Sequence, residues 1–216
     1  MSPAPTAAEL LPAYLEALVA PDPPAARELI RSAQESGLAG AELLLDVITP
    51  ALREVGDRWE RGEITVAHEH LASEVSASLV AELAERLRRP PKAGRLAVVC
   101  CSPGEEHCVG AHIVEAMLEA AGWEVLYLGR SLPLADLAGL VDGERPDAVA
   151  LSTTLPEAVD GAAEAVEALR ALESPPVVMV GGQAFPDEGA ARAVGAQAWS
   201  EDAAGAPGAL EALLSA

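Results

Sequence analysis

Between Ala7 and Leu87 apolar residues return every three or four positions, the spacing of helices that each bury one face. Gly and Pro punctuation divides this stretch into four predicted helices. The first covers about Ala7 to Val19. The second follows Asp22, a capping residue, with Pro24 in its first turn. Gly37 and Gly40 mark a break before the third, from about Ala41 to Trp59, whose inward stripe is Leu44, Val47, Ile48, Leu52 and Val55. Pro50 lacks a backbone N–H and is expected to kink that helix. The fourth runs from about Thr65 to Leu87. Helices of this length with short connections predict a four-helix bundle over residues 1–90. Arg88 to Gly94, RRPPKAG, reads as a linker, because consecutive prolines forbid helix continuation.

Beyond the linker the period changes. The continuous apolar runs RLAVVC, WEVLYL, DAVALS and PPVVMVG read as buried strands, and a weaker one, AQAWS, as a fifth. They alternate with helical stretches near Val109 to Ala121, Leu134 to Leu140, Pro156 to Leu172, Glu188 to Val194 and Gly205 to Leu214. The pattern predicts an α/β domain over residues 91–216, a doubly wound, Rossmann-like parallel sheet of five strands in the flavodoxin-like order. Ligands of such sheets bind at the carboxyl ends of the strands.

Composition narrows the class. Half of the 216 residues are apolar but only 3% are aromatic, so the interior is built from Ala, Val and Leu. The formal charge is −20, with 34 acidic against 14 basic side chains, a balance that repels a phosphate backbone and argues against direct nucleic-acid binding. No apolar run approaches the roughly 20 residues that cross a bilayer. The N-terminus lacks the basic-then-apolar order of a secretory signal, so a cytoplasmic protein without membrane contact is expected. Cys100, Cys101 and Cys108 read as buried thiols, Cys108 at a helix start facing the core, and His112 as a helix-face residue.

The first strand of the second domain is followed by CSPGEEHCVGAH, which sets Glu105, His107 and Gly110 at the binding edge of the sheet. A carboxylate two residues before a histidine can hold one ring nitrogen and so direct the other toward a metal. Forty-one residues separate Gly110 from Ser152 in STTL, and twenty-six separate Thr154 from the pair Gly181-Gly182. This spacing resembles the cobalamin (vitamin B12)-binding domains of methionine synthase, the mutases and corrinoid methyl carriers, whose fingerprint reads D-x-H-x-x-G, then S-x-L, then G-G. The resemblance implies a cobalt corrinoid held with its nucleotide tail off the metal and inserted along the sheet. His107 would be the lower axial cobalt ligand, and Glu105, in place of the usual Asp, its carboxylate partner. Ser152 would bond the tail, Thr154 and Leu155 would line its slot, and Gly110, Gly181 and Gly182 would leave it room.

A helical bundle ahead of such a domain resembles the cap of methionine synthase, the methyl carriers and the light-sensing regulators. Within DRWERGEITVAHEHLA, Trp59, nine intervening residues and then Glu69-His70 match the W-x9-EH signature of the adenosylcobalamin-dependent photoreceptor regulators of the CarH type. That resemblance implies adenosylcobalamin, with Trp59 beside the adenosyl group and Glu69 and His70 on its ribose, and a non-enzymatic light sensor. Photolysis of the cobalt–carbon bond would then change cap position or oligomeric state. In those regulators a His directly follows the Trp and ligates cobalt after light; here Glu60 stands there, which leaves His68 or His70 for that part. The regulators begin with a DNA-reading winged helix-turn-helix domain, which this chain is expected to lack, so output would pass through a homo-oligomer or a regulatory protein partner. The alternative implied by the same resemblance is a corrinoid methyl carrier of a methyltransferase system, holding methylcobalamin.

Overall fold

The computed structural model describes residues 5–87, 90, 92 and 94–215. The chain divides into two compact units, one up to Leu87 and one beyond it. Of the expected linker, residues 88, 89, 91 and 93 lie outside the described residues.

The first unit is a helical bundle. Helix α1 (Ala7–Val19) opens with a reciprocal cap: the Glu9 N–H donates to Thr6 Oγ1 at 3.3 Å and the Thr6 N–H to Glu9 Oε2 at 2.8 Å. Helix α2 (Pro23–Glu35) starts as its sequence predicts, with the Ala25 N–H donating to Asp22 Oδ1 at 3.0 Å and proline in the first turn. The third helix departs from expectation. Instead of one α-helix kinked at Pro50, α3 (Gly40–Glu42) runs into a π-helical turn, Leu43–Ile48, and then α4 (Thr49–Glu60). The wider turn is a response to the proline: the Thr49 N–H reaches Leu44 O, and Thr49 Oγ1 donates to the same carbonyl at 2.8 Å, so the ladder slips by one residue just where a donor is missing. Leu43, Leu44, Val47 and Ile48 are thereby all buried. Helix α5 (Val66–Arg86) buries Ala72, Val75, Leu79, Val80 and Leu83, and the buried Tyr14 hydroxyl of α1 bonds Ser76 Oγ at 2.9 Å.

The second unit carries a parallel four-stranded sheet of β1 (Leu96–Cys101), β2 (Glu124–Gly129), β3 (Ala148–Ser152) and β4 (Val177–Gly181) in the order β2-β1-β3-β4. Alternate residues face opposite layers. Val98, Cys100, Val149, Leu151, Val178 and Val180 pack with α7 (Leu134–Glu144) and α8 (Val159–Arg170). Ala97, Val99, Cys101, Ala148, Ala150 and Met179 pack with α6 (Val109–Ala120) and α10 (Ala206–Leu214). This is the doubly wound arrangement, its second face made of small side chains that admit helices closely. A short helix, α9 (Glu188–Ala193), follows β4.

The expected fifth strand does not form a ladder. Of AQAWS only Ala198 makes an isolated parallel bridge, to Met179. The segment is cut short on both sides: Gly195 lies at φ +84°, and Trp199 turns its indole N–H to the Phe185 carbonyl at 2.9 Å. Among the described residues no helix is long and apolar enough to cross a membrane.

Candidate functional site

Strand register aligns the chemistry. Cys101 of β1 pairs with Ser152 of β3, and Ser152 with Gly181 of β4, so the three strand ends lie in one row at the carboxyl edge of the sheet. The loop from Ser102 to Cys108 rises from the first of them. It is fixed at several points: the Ser102 N–H donates to the Ser152 carbonyl at 3.0 Å, the Gly104 N–H to Ser131 Oγ at 2.8 Å, and the Ser131 N–H to the Glu105 carbonyl at 3.1 Å. Beneath it the buried hydroxyls of Ser102 and Thr153 meet at 2.7 Å.

Glu105 is fully buried and its carboxylate is completely engaged. Oε1 accepts the His107 N–H at 2.8 Å and lies 2.6 Å from His107 Nδ1, while Oε2 accepts the N–H groups of Thr154 at 2.7 Å and Leu155 at 2.9 Å. Burial alone would push the carboxyl up; the His107 ring, the His107 N–H and the Leu155 and Thr154 N–H groups outweigh it and hold the group at about 2. The carboxylate is therefore ionised and can only accept, so the proton shared with His107 sits on Nδ1. A neutral imidazole in that tautomer carries its lone pair on Nε2, the form in which histidine binds metals. The His107 side chain is 36% exposed, so the ring is partly open to solvent while its anchor is not.

The glycines divide into two kinds. At Gly181 an added Cβ would meet nothing within 4 Å, so there is open space at the end of β4. At Gly182 an added Cβ would be driven into the Thr153 carbonyl, and φ is +102°, so the chain's own backbone demands glycine there. Gly110 is intermediate: its Cβ would stand 3.4 Å from Ser152 Oγ, an ordinary contact. Sequence reasoning missed Ser102, Thr153 and Ser131, whose only signal was proximity to strand ends, and Gly161, where a Cβ would strike the Pro103 carbonyl under the His107 loop.

Burial pushes the Cys100 thiol up to about 12 and raises Cys101 as well, so both stay protonated and act as core residues. Cys108 is half-buried and packs on the face of the sheet that α6 and α10 cover. His112 stacks on Tyr127 with ring centroids 5.0 Å apart, and burial lowers its affinity for a proton.

The remaining sequence candidates belong to the bundle unit. Trp59, in the last turn of α4, is 37% exposed. Glu69, in the first turn of α5, is buried and accepts Ser73 Oγ at 2.7 Å, and the His70 side chain, 74% exposed, lies 3.7 Å from Glu69 Oε2. A short turn joins α4 to α5, so these three residues share one end of the bundle. His68 is engaged locally, its Nδ1 lying 2.7 Å from Thr65 Oγ1.

The chain matches the B12 binding domain family twice, over residues 10–84 and 95–207. The HTH-type transcriptional repressor CarH of Myxococcus xanthus is 36% identical over 140 residues, which cover 64% of this chain and 46% of the repressor. The chain thus spans about half the length of CarH, and 51% of the related repressor CarA. The dimethylamine corrinoid protein of Methanosarcina barkeri is 28% identical over 174 residues, covering 77% of this chain and 79% of that protein. The solved monomethylamine corrinoid protein of Methanosarcina barkeri superposes with a TM-score of 0.81 at 22% identity, over 94% of this chain and 96% of the other, a likeness of fold. A histidine anchored by an ionised, buried carboxylate at the carboxyl edge of a doubly wound sheet, and family matches that span both units, lead to one conclusion: the chain belongs to the B12-binding domain family.

Proposed function

We propose that this chain is a light-responsive cobalamin sensor that holds adenosylcobalamin with His107 as the lower cobalt ligand. The observation that carries the light-responsive part is the partly exposed Trp59 at the same end of the bundle as Glu69 and the exposed His70. A partly exposed indole at the same bundle end as a carboxylate and an imidazole suits a ligand with a flat ring and hydroxyls, which an adenosyl group has. Support for the lower face is the donor set: an imidazole whose Nδ1 lies 2.6 Å from the Glu105 carboxylate, and open space beside Gly181 for a nucleotide tail. When bound, adenosylcobalamin supplies a cobalt–carbon bond that visible light breaks. The chain's own residues do the rest: Glu105 fixes the tautomer and direction of His107, Ser152, Thr154 and Leu155 receive the tail beside Gly110, Gly181 and Gly182, and Trp59, Glu69 and His70 are reserved for the adenosyl group. The output would be a change of oligomeric state or of a regulatory protein partner, as the similarity to CarH suggests.

The test uses protein loaded with adenosylcobalamin in darkness and then illuminated with green light. A changed absorption spectrum together with a changed elution volume is expected; a spectrum and elution indifferent to light would overturn the reading. His107→Ala is expected to remove the spectral signature of histidine on cobalt and to weaken cobalamin binding by more than the roughly 10–100-fold that loss of an outer partner costs.

A second reading, a corrinoid methyl carrier holding methylcobalamin, is favoured by one observation: Glu60, not histidine, follows Trp59. It agrees with the greater share of the dimethylamine corrinoid protein that the chain covers. Methyl transfer to the bound corrinoid by a partner methyltransferase, with no response to light, is its expected result.

A further inference from the structure

The most heavily engaged polar side chain in the sheet unit is Glu105, and its bonds do not all serve the histidine. One oxygen takes the backbone and ring N–H of His107, and the other takes two consecutive backbone N–H groups, Thr154 and Leu155, of the turn that follows β3. Its carbonyl holds the Ser131 N–H after β2. One residue therefore touches the loops that leave three neighbouring strands.

We propose that Glu105 is a positioning residue that tethers the His107 loop to the turn after β3, so that the direction of the metal ligand and the place of the nucleotide tail are set together, an inference that rests on the cobalamin reading of this site. The physical case is one of reach. The four donors approach from two sides, at 2.6 and 2.8 Å on Oε1 and at 2.7 and 2.9 Å on Oε2, and the carboxylate lies between them with no access to water. Aspartate is shorter by one carbon–carbon bond, about 1.5 Å. Whichever pair a shorter side chain kept, the other would stretch past the roughly 3.2 Å at which such bonds weaken. Two amide N–H groups of a half-buried turn would then lose their acceptor, a cost that loosens the turn. A tether of this kind makes tail binding and histidine ligation cooperative: ordering one loop orders the other. Ser102 and Thr153, joined by their hydroxyls below, link the two strand ends but hold neither the ring nor the N–H groups of Thr154 and Leu155.

The experiment has two arms, both on the full chain. In the ligand-free protein, amide hydrogen exchange at Thr154 and Leu155 is compared between the wild type, Glu105→Asp and Glu105→Gln. In the loaded protein, the dissociation constants of hydroxocobalamin and of cobinamide, a corrinoid without the nucleotide tail, are measured alongside the absorption spectrum. Glu105→Asp is expected to speed exchange at both amides at least about tenfold, and to cut the preference for cobalamin over cobinamide about tenfold, while histidine ligation persists in the spectrum. Leu155→Pro deletes one Oε2 donor without replacing Glu105 or His107. It is expected to lower the same preference. If both Glu105 variants keep wild-type exchange and wild-type preference, the tether is wrong. If wild-type protein binds cobalamin with its own base still on the metal, the His107 reading fails instead, and the exchange arm still decides the tether.

Discussion

The two units present their candidate residues in opposite ways. At the carboxyl edge of the sheet, Glu105 is wholly buried, makes four hydrogen bonds, and fixes His107 to within one bond of a rigid loop. At the end of the bundle, Trp59 is 37% exposed, the His70 side chain is 74% exposed, and only Glu69 has a short bond, to its neighbour on the same helix. The difference separates two tasks. A metal ligand must aim one lone pair along one direction, and that needs over-determined bonding; a surface that receives a flat organic group needs area, and a half-exposed indole supplies it without bonds. The contrast also bears on stability: at Gly182 the chain's own backbone requires the shape of the sheet edge.

Substitutions can break or sharpen this contrast. The largest effect is expected for Gly182→Ala, which forces a side chain into the left-handed region and against the Thr153 carbonyl; a loss of about 2–5 kcal/mol from the sheet unit should appear in urea denaturation. Amide resonances of the bundle should be unmoved, and a small loss would mean that the sheet edge is softer than its bonding implies. Next comes Tyr14→Phe in the bundle, which strands the buried Ser76 hydroxyl and should cost about 1 kcal/mol by the same assay without altering corrinoid affinity. Last comes Trp59→Ala, whose readout is photochemical and not a loss of stability. Under the sensor reading this variant should change the rate at which light alters the adenosylcobalamin spectrum, and an unchanged rate would remove Trp59 from the site.

Much of this was legible in the residues. The helix cap at Asp22, the four apolar strand runs and the pairing of Glu105 with His107 are all local, a matter of spacing within one element or one loop, and each appears in the structure. The π-helical turn before Pro50 was not legible, because it depends on which carbonyl Thr49 can reach once the helix is packed. The fifth strand was overread: AQAWS has strand composition, but only Gln197 and Ala198 bond β4 through the backbone, too short a stretch for a ladder. One reason for glycine at position 182 was not legible: a Cβ there would meet Thr153 O, a backbone atom of its own chain.

By itself the sequence determined which side chains could do the chemistry: an imidazole two residues from a carboxylate, a serine at a strand end, a pair of glycines, and a tryptophan ahead of a Glu-His pair. Only the tertiary structure decided that the carboxylate would also take the Thr154 and Leu155 N–H groups, because those donors are backbone atoms some fifty residues away, brought within reach by the parallel pairing of β1 with β3. Backbone donors are the same in every residue, so no letter of the sequence marks them. Their direction is set by the sheet.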